Sequence, residues 1–150
     1  MKVVNEKYRL DIQDVSYDEL GRLIAEAKKD NSLIRSARNR ADEYLGDTGI
    51  KLEVNRKYVE NCFMLEEVFI RLMNKFNCRS ITVNNCMGTI MPIAETTACL
   101  TLSLLNDAGY LAFCESDFVV VPSGMLMANI TGKPSFLNDP TYPHNNLITL

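Results

Sequence analysis

The chain has 150 residues, of which 47% are hydrophobic and 23% charged, values typical of a globular domain and not of a disordered or membrane protein. A chain of this length forms one domain and buries about two thirds of the surface that its unfolded form exposes. The net charge of −3 argues against nucleic acid as a partner, because phosphate binding requires a basic surface. We therefore expect a single domain over residues 1–150.

Targeting and redox signals are weak. No apolar run reaches transmembrane length, and residues 1–6 lack the apolar core of a signal peptide. We therefore expect no membrane partner and a cytoplasmic location. The widely spaced cysteines form no CxxC pair, which favours buried free thiols over disulfides. They are Cys62, Cys78, Cys86, Cys99 and Cys114.

The N-terminal half predicts helices after one short strand. Residues 7–12 alternate between polar and apolar side chains as a strand does. Ser16 and Glu19 have the spacing of a capping box, which predicts that a helix begins there. Apolar residues then recur at helical spacing over residues 33–45, and Asn55 precedes the longest helical pattern of the chain.

From residue 80 onward the pattern changes to strands that alternate with helices. We expect a helix from about residue 92 or 94 to residue 108, and another that ends at Gly132. This alternation predicts a parallel α/β fold, specifically a Rossmann-like three-layer domain with a mostly parallel sheet and a helix-rich N-terminal half. The predicted strands lie at 80–83, 110–114, 135–138 and 146–150.

Polar residues follow three of these strands in succession. The carboxyl ends of parallel strands meet at one edge of a sheet, which is where ligands of such folds bind. Simple strand termination explains each set as well, and Glu115 and Asp139 are equally compatible with a helix cap and a turn. The residues are Asn84 and Asn85, then Glu115, Ser116 and Asp117, then Asn138 and Asp139.

The usual signatures of other chemistries are missing from the sequence. It contains no GxGxxG, no GxxxxGK[ST], no GxSxG and no close cysteine pair, and its one histidine, His144, lies in a turn-rich stretch. What remains is a set of oxygen ligands, including Glu115 and Asp139, which suits Mn²⁺ or Mg²⁺. With a carboxylate that moves a proton, such an ion supports the interconversion of an aldose and a ketose through an enediol.

Several short stretches carry a resemblance to a known family. They are ACLTLSLLNDAGY at 98–110, AFCESD at 112–117, GMLM at 124–127, ITG at 130–132 and FLND at 136–139. Together they resemble the L-fucose/L-arabinose isomerase superfamily, and more closely its fucose isomerase-like proteins. The similarity extends over residues 78–150, and only loosely over the helices before them.

The resemblance implies a function and a set of site residues. Members of the family use Mn²⁺ to isomerise aldoses such as fucose or arabinose, and they assemble into oligomers. By position, Glu115 and Asp139 are similar to the family's metal-binding carboxylates, which also act as the acid and base on the sugar. Asp117 is then a candidate partner of these ligands, with a lesser expectation that it is itself a ligand. Candidates to line the sugar pocket are Asn84, Asn85 and Asn138.

The chain departs from the family in two ways. The family's metal site includes a histidine whose motif would fall after Leu150, and His144 does not match it. Further domains and neighbouring subunits complete the family's substrate pocket. We therefore expect a fragment, a central domain with about half a metal site that is nearly inactive alone.

Other functions remain open. The main alternative is a non-catalytic Rossmann-like module for carbohydrate binding or assembly. Another is a degenerate relative of the family with different chemistry on a carbohydrate. Glu95, which we expect at the start of a helix, is explained equally well by the helix dipole and by catalysis.

Overall fold

The computed structural model of the chain describes residues 2–135, and within that range it has a helix-rich fold with one small parallel sheet. The predicted strand at 146–150, and all but the first residue of the one at 135–138, lie outside the described residues. The elements in chain order are α1 Lys2–Tyr8, α2 Tyr17–Ala27, α3 Asn31–Leu45, α4 Arg56–Lys75, β1 Ser80–Thr82, α5 Cys86–Ala94, α6 Cys99–Asp107, β2 Leu111–Phe113 and α7 Val120–Thr131.

Local capping signals place the starts of α2 and α4. Oγ of Ser16 accepts a hydrogen bond from the backbone N–H of Glu19 at 3.1 Å, which confirms Ser16 as the N-cap of α2. Oδ1 of Asn55 accepts from the N–H of Lys57 at 2.9 Å and caps α4 in the same way. The helix predicted over residues 33–45 is confirmed as α3.

The predicted strand at residues 7–12 is wrong. Residues 2–8 form α1, whose N–H···O bonding ends where the N–H of Arg9 donates to the carbonyl of Asn5 at 2.8 Å. Arg9 has a φ of 55°, a left-handed conformation that stops the helix. An alternating sequence forms a strand only where another strand can pair with it, and β1 and β2 pair with each other elsewhere.

The segment between β1 and β2 also differs from the prediction. It contains two helices, α5 and α6, which meet at an angle of 89°. The first begins at Cys86, several residues before the expected helix start, and the second ends at Asp107. The prediction of a single helix that starts at residue 92 or 94 is therefore wrong.

Glu95 makes the bend between these helices. It has a φ of 54° and follows the last residue of α5, so its expected position at a helix start is wrong. The side-chain amide of Asn61 donates to the carbonyl of Glu95 at 3.2 Å, and Oγ1 of Thr96 donates to the carbonyl of Tyr58 at 3.0 Å. Both hydrogen bonds join the bend to α4, so tertiary contacts stabilise it.

The two strands are parallel and directly paired. Thr82 lies beside Phe113, and the N–H of Val83 donates to the carbonyl of Phe113 at 3.2 Å. On the outer edge of β2, the side chain of Asn106 bonds to both backbone groups of Ala112, with distances of 2.8 Å to the carbonyl and 3.1 Å to the N–H. Asn106 thus occupies the place at Ala112 that another strand would take.

Helices cover β2 from two sides. Ala112 belongs to the main core, which α4 dominates with buried side chains along most of its length. Phe113 contacts α7 instead, so closely that a Cβ atom on Gly124 would lie 2.3 Å from its ring. Because successive strand residues point to opposite faces, α7 and the main core lie on opposite sides of β2.

All five cysteines are unpaired, as predicted. Only Cys62 and Cys86 are fully buried, however, and Cys99 is exposed. The expectation of buried thiols is therefore correct for two of the five, while Cys78 and Cys114 are half-buried.

Within residues 2–135, no single helix has both the length and the apolar composition needed to cross a membrane. The bent pair α5 and α6 meets these criteria only when the two helices are taken together.

Candidate functional site

The carboxyl ends of β1 and β2 lie side by side, and they bring four of the proposed site residues to one edge of the sheet. Asn84 and Asn85 follow β1, while Glu115 and Asp117 follow β2. The backbone N–H of Ser116 donates to Oγ1 of Thr82 at 3.1 Å, which ties the two strand ends together. Parallel pairing therefore brings the first two of the three predicted polar sets to one edge, while the third, Asn138 and Asp139, lies outside the described residues.

Glu115 is exposed at this edge and has an unfavourable backbone conformation. Its φ is 65°, and that of Ser116 is 47°, so two successive residues other than glycine are left-handed. Such a conformation costs a side-chain-bearing residue about 1 kcal/mol or more and concentrates at functional sites. The strain at Glu115 makes it the strongest candidate for a functional residue here.

The neighbouring thiol is bonded to this carboxylate. Sγ of Cys114 donates to Oε1 of Glu115 at 3.4 Å. The pKa of Cys114 is raised to about 12, mainly by burial and further by the hydrogen bond to Glu115 and the charge of that carboxylate. Cys114 is therefore a protonated donor at neutral pH and not a nucleophile.

Asp117 has a different role from that of Glu115. Its Oδ1 accepts the backbone N–H of Val119 at 2.8 Å and that of Val120 at 3.4 Å. Val119 directly precedes α7 and Val120 is its first residue, so Asp117 caps the turn that leads into the helix. One of its oxygens is committed to this role, which weakens the case for Asp117 as a direct ligand.

The two asparagines are exposed, and one of them shapes the loop. Asn85 has a φ of 49°, and its Oδ1 accepts from the N–H of Gly88 at 3.3 Å as the N-cap of α5. The carbonyl of Asn84 accepts hydrogen bonds from the hydroxyl of Tyr17 and from Oγ1 of Thr89, the latter at 3.0 Å. Strand termination and capping thus account for the backbone at this end of β1.

Tyr17 also contacts this edge of the sheet, although no sequence pattern indicated it. Its hydroxyl both donates to the carbonyl of Asn84 and accepts from its N–H at 3.2 Å. Tyr17 opens α2 and is 67 residues away in sequence, so only the tertiary fold brings it to this edge.

Cys86 is the second residue here with an informative environment. It is buried as the first residue of α5, and its Sγ accepts the N–H of Ala98 at 3.2 Å. Burial is the main cause that raises the pKa of Cys86. Cys86 therefore remains a thiol at the carboxyl end of β1, where it follows Asn85.

The donors at this edge suit a hard divalent cation only in part. Glu115 offers a carboxylate, and the exposed side chains of Asn84 and Asn85 offer amide oxygens, all of which are ligand types for Mn²⁺ or Mg²⁺. Across the described part of the chain, no three His, Cys, Asp or Glu side chains group together as metal ligands. Asn138, Asp139 and His144 lie outside the described residues.

Two grooves occur elsewhere on the surface, and none of the proposed site residues lines them. One of about 230 Å³ lies between α3 and α4, and one of about 220 Å³ adjoins it beside α2. All but one of their charged side chains are in ion pairs: Arg40 with Glu66, Arg71 with Glu67, and Glu26 with Arg22. The other, Asp30, accepts backbone N–H groups as the N-cap of α3. We therefore place the candidate site at the sheet edge and not in these grooves.

Comparison of the chain with protein-family models, with curated proteins and with solved structures found no match.

Proposed function

We propose that the chain is part of a Mn²⁺-dependent aldose–ketose isomerase in which Glu115 and Asp139 hold the metal ion. The observation that carries this proposal is the exposed, left-handed Glu115 at the carboxyl end of β2, beside the end of a parallel strand. The motifs that resemble fucose isomerase-like proteins support it, because Glu115 lies in one of them and Asp139 in another.

The proposal includes a larger sheet than the described residues contain. Helices on both sides of β2 support a Rossmann-like three-layer domain. A two-stranded sheet is marginal by itself, so further strands would complete it. Because Asn106 occupies the outer edge of β2 at Ala112, we expect such strands to add beside β1 or beyond the contact with Asn106.

The chemistry proposed for the site divides between the metal and the protein. When bound, Mn²⁺ would polarise the carbonyl and the adjacent hydroxyl of an aldose such as fucose or arabinose. Glu115 and Asp139 would carry the proton between the two carbon atoms. The thiol of Cys114 would hold the Glu115 carboxylate in position through its hydrogen bond, and Asn84, Asn85 and Asn138 would contact sugar hydroxyls.

The site is incomplete within residues 1–150. The proposal assigns it two carboxylates and no histidine, so weak metal binding and almost no turnover are expected from this chain alone. Complete pockets of this kind also require neighbouring subunits, and we propose a cytoplasmic homo-oligomer as the functional form. If residues 1–150 alone had the isomerase activity of a complete enzyme, the proposal that they hold only part of the site would be wrong.

Titration with Mn²⁺, followed by electron paramagnetic resonance, tests the metal site directly. Glu115→Gln and Asp139→Asn are each expected to weaken binding at least tenfold, because each removes a charged ligand. Glu53→Gln is the control, since Glu53 is an exposed carboxylate paired with Lys51 away from the sheet edge. If both site variants bind Mn²⁺ as the unaltered chain does, the metal proposal is wrong.

The capping role of Asp117 favours a second candidate, a non-catalytic module that binds a carbohydrate or mediates assembly. In that case the polar edge would recognise a sugar through hydrogen bonds alone. Calorimetric titration with L-fucose and L-arabinose in the presence of EDTA separates the two functions. Binding that persists with EDTA and in Glu115→Gln supports the second candidate.

A further inference from the structure

Helix α7 presents an apolar face to solvent. It contains no charged residue, and only Val121 is fully buried along its length. The exposed fractions are 60% for Leu126, 55% for Met127 and 71% for Ile130, and 75% for Val119, which directly precedes the helix. Contiguous apolar surface of this kind marks an interaction site on a soluble domain.

The exposed residues form a stripe with a regular spacing. Val119, Ser123, Leu126 and Ile130 follow one another at intervals of four, three and four residues, which is the spacing of the contact positions in paired helices. The opposite side of the helix is occupied, because Gly124 packs against the ring of Phe113. The stripe is thus a seam that points away from its own sheet.

The charges that flank the seam in the sequence indicate what fits it. Asp117 precedes α7 and Lys133 follows it, with no charge between them. Residue 125 is the midpoint between these two charges and lies within one residue of the midpoint of the seam. In an antiparallel pair of α7 helices, Asp117 of each copy would therefore lie opposite Lys133 of the other.

We infer that α7 is the interface through which two copies of this chain associate, with the helices antiparallel about a two-fold axis near residue 125. A two-fold interface uses the same surface on both copies, which the symmetry of this seam satisfies. An anionic lipid surface fits less well, because membrane-surface helices carry Lys and Arg on the polar face and α7 has none. This inference is independent of the metal site.

Sedimentation equilibrium over a wide range of protein concentration tests the interface. One short helix pair buries less than the roughly 1,600 Å² of a standard interface, so we expect a weak dimer that forms reversibly at high concentration. The double variant Leu126→Glu with Ile130→Glu is expected to weaken dimerisation at least tenfold. Val54→Glu is the control, because Val54 is equally exposed but lies between α3 and α4.

A second variant tests the antiparallel orientation. Lys133→Glu would place a carboxylate opposite Asp117 of the other copy, so it should weaken the dimer, and added salt should reduce this effect. Equal dimerisation of Lys133→Glu and the unaltered chain at low salt would overturn the antiparallel arrangement.

Three outcomes would overturn the inference as a whole. The first is a dimer that the Leu126 and Ile130 substitutions leave intact. The second is a monomer at every concentration whose melting temperature those substitutions lower more than Val54→Glu does, which would mean that the face is covered within its own chain. The third is a monomer that binds phosphatidylcholine vesicles through α7, which would assign the seam to lipid.

Discussion

The thiol of Cys114 lies 3.4 Å from Oε1 of Glu115 and donates its proton to that carboxylate. The two residues are adjacent in sequence, yet they have opposite environments, since Glu115 is exposed and Cys114 is half-buried. The pKa of about 12 for Cys114 results from its burial and from the carboxylate beside it. The thiol therefore serves to orient the proposed metal ligand.

This pair predicts a change in thiol reactivity. Glu115→Gln removes the negative charge that disfavours the thiolate, so the pKa of Cys114 should fall and its alkylation by iodoacetamide at pH 9 should become faster. Peptide mass spectrometry measures the rate for each cysteine separately. The exposed Cys99 provides the reference within the same chain, and an unchanged rate at Cys114 would show that the carboxylate does not control the thiol.

The backbone of Glu115 predicts that stability and function oppose each other at this position. Glycine adopts a positive φ without the steric cost that Glu115 bears. The free energy of unfolding of Glu115→Gly should therefore be about 1 kcal/mol higher than that of Glu115→Gln. Both variants should lose Mn²⁺ binding. Urea denaturation gives the free energies of unfolding, and electron paramagnetic resonance gives the affinity.

A glycine substitution within a helix is the control, because it should lower the free energy of unfolding. Glu43 lies within α3 in a helical conformation, so Glu43→Gly should lower the free energy of unfolding by about 1 kcal/mol. If Glu115→Gly is destabilised as much as Glu43→Gly, the left-handed conformation of Glu115 stores no strain.

The sequence predicted those elements whose signals are local. Ser16 and Asn55 bond to backbone N–H groups two or three residues ahead, and Gly132 ends α7 in the left-handed conformation typical of that position. β1 and β2 were recognisable because short apolar runs end in polar residues. Those same polar residues placed the candidate site at the carboxyl edge of the sheet.

Other features depend on distant contacts and had no local signal. The left-handed turn at Glu95, where glycine would be the usual residue, is held by Asn61, which is 34 residues away. The contact between Tyr17 and Asn84 spans 67 residues. Alternation at residues 7–12 was misleading for the converse reason, because a strand pattern is not sufficient by itself, and none of the strands in the described range pairs with this segment.

Asp117 predicts separate effects on stability and on metal binding. Asp117→Ala removes the acceptor for two N–H groups at the start of α7 and should lower the free energy of unfolding by about 1 kcal/mol. Asp117→Asn retains an acceptor oxygen and should remain close to the unaltered chain. Neither variant should change Mn²⁺ affinity more than threefold if the residue is only a cap, and a tenfold loss in Asp117→Asn would make it a ligand.

The buried carboxylate of Glu66 predicts a pH-dependent stability. Nη2 of Arg40 lies 2.7 Å from Oε2 of Glu66, and the guanidinium also stacks 4.8 Å from the ring centre of Phe63. The contact is an ion pair and not an aligned hydrogen bond, since Oε2 has no hydrogen-bond partner among the described residues. Burial raises the pKa of Glu66 above its usual 4.5, and the charge of Arg40 partly opposes the rise.

Arg40→Met would leave this buried charge uncompensated, at a cost of about 3 kcal/mol in the free energy of unfolding near pH 8. A raised pKa in the folded chain means that the folded state retains a proton that the unfolded state releases. The stability of Arg40→Met should therefore be greater at pH 5 than at pH 8, and should be lost as the pH rises through the folded pKa. Urea denaturation at the two pH values measures the difference.

Two further variants isolate the contribution of the charge pair. Adding Glu66→Met to Arg40→Met removes both charges and should recover most of the stability at pH 8, because an apolar pair of similar volume replaces them. Arg38→Met is the control: the exposed Arg38 places its Nε 3.5 Å from Oε2 of Glu60. Glu60 also pairs with Arg56 and Lys57, so the loss of Arg38 should cost about 1 kcal/mol or less. Two results would contradict this account: a loss of stability in Arg40→Met no larger than that in Arg38→Met, or a double variant less stable than Arg40→Met alone. Either would mean that Arg40 stabilises α3 against α4 by packing on Phe63 and not by neutralising Glu66.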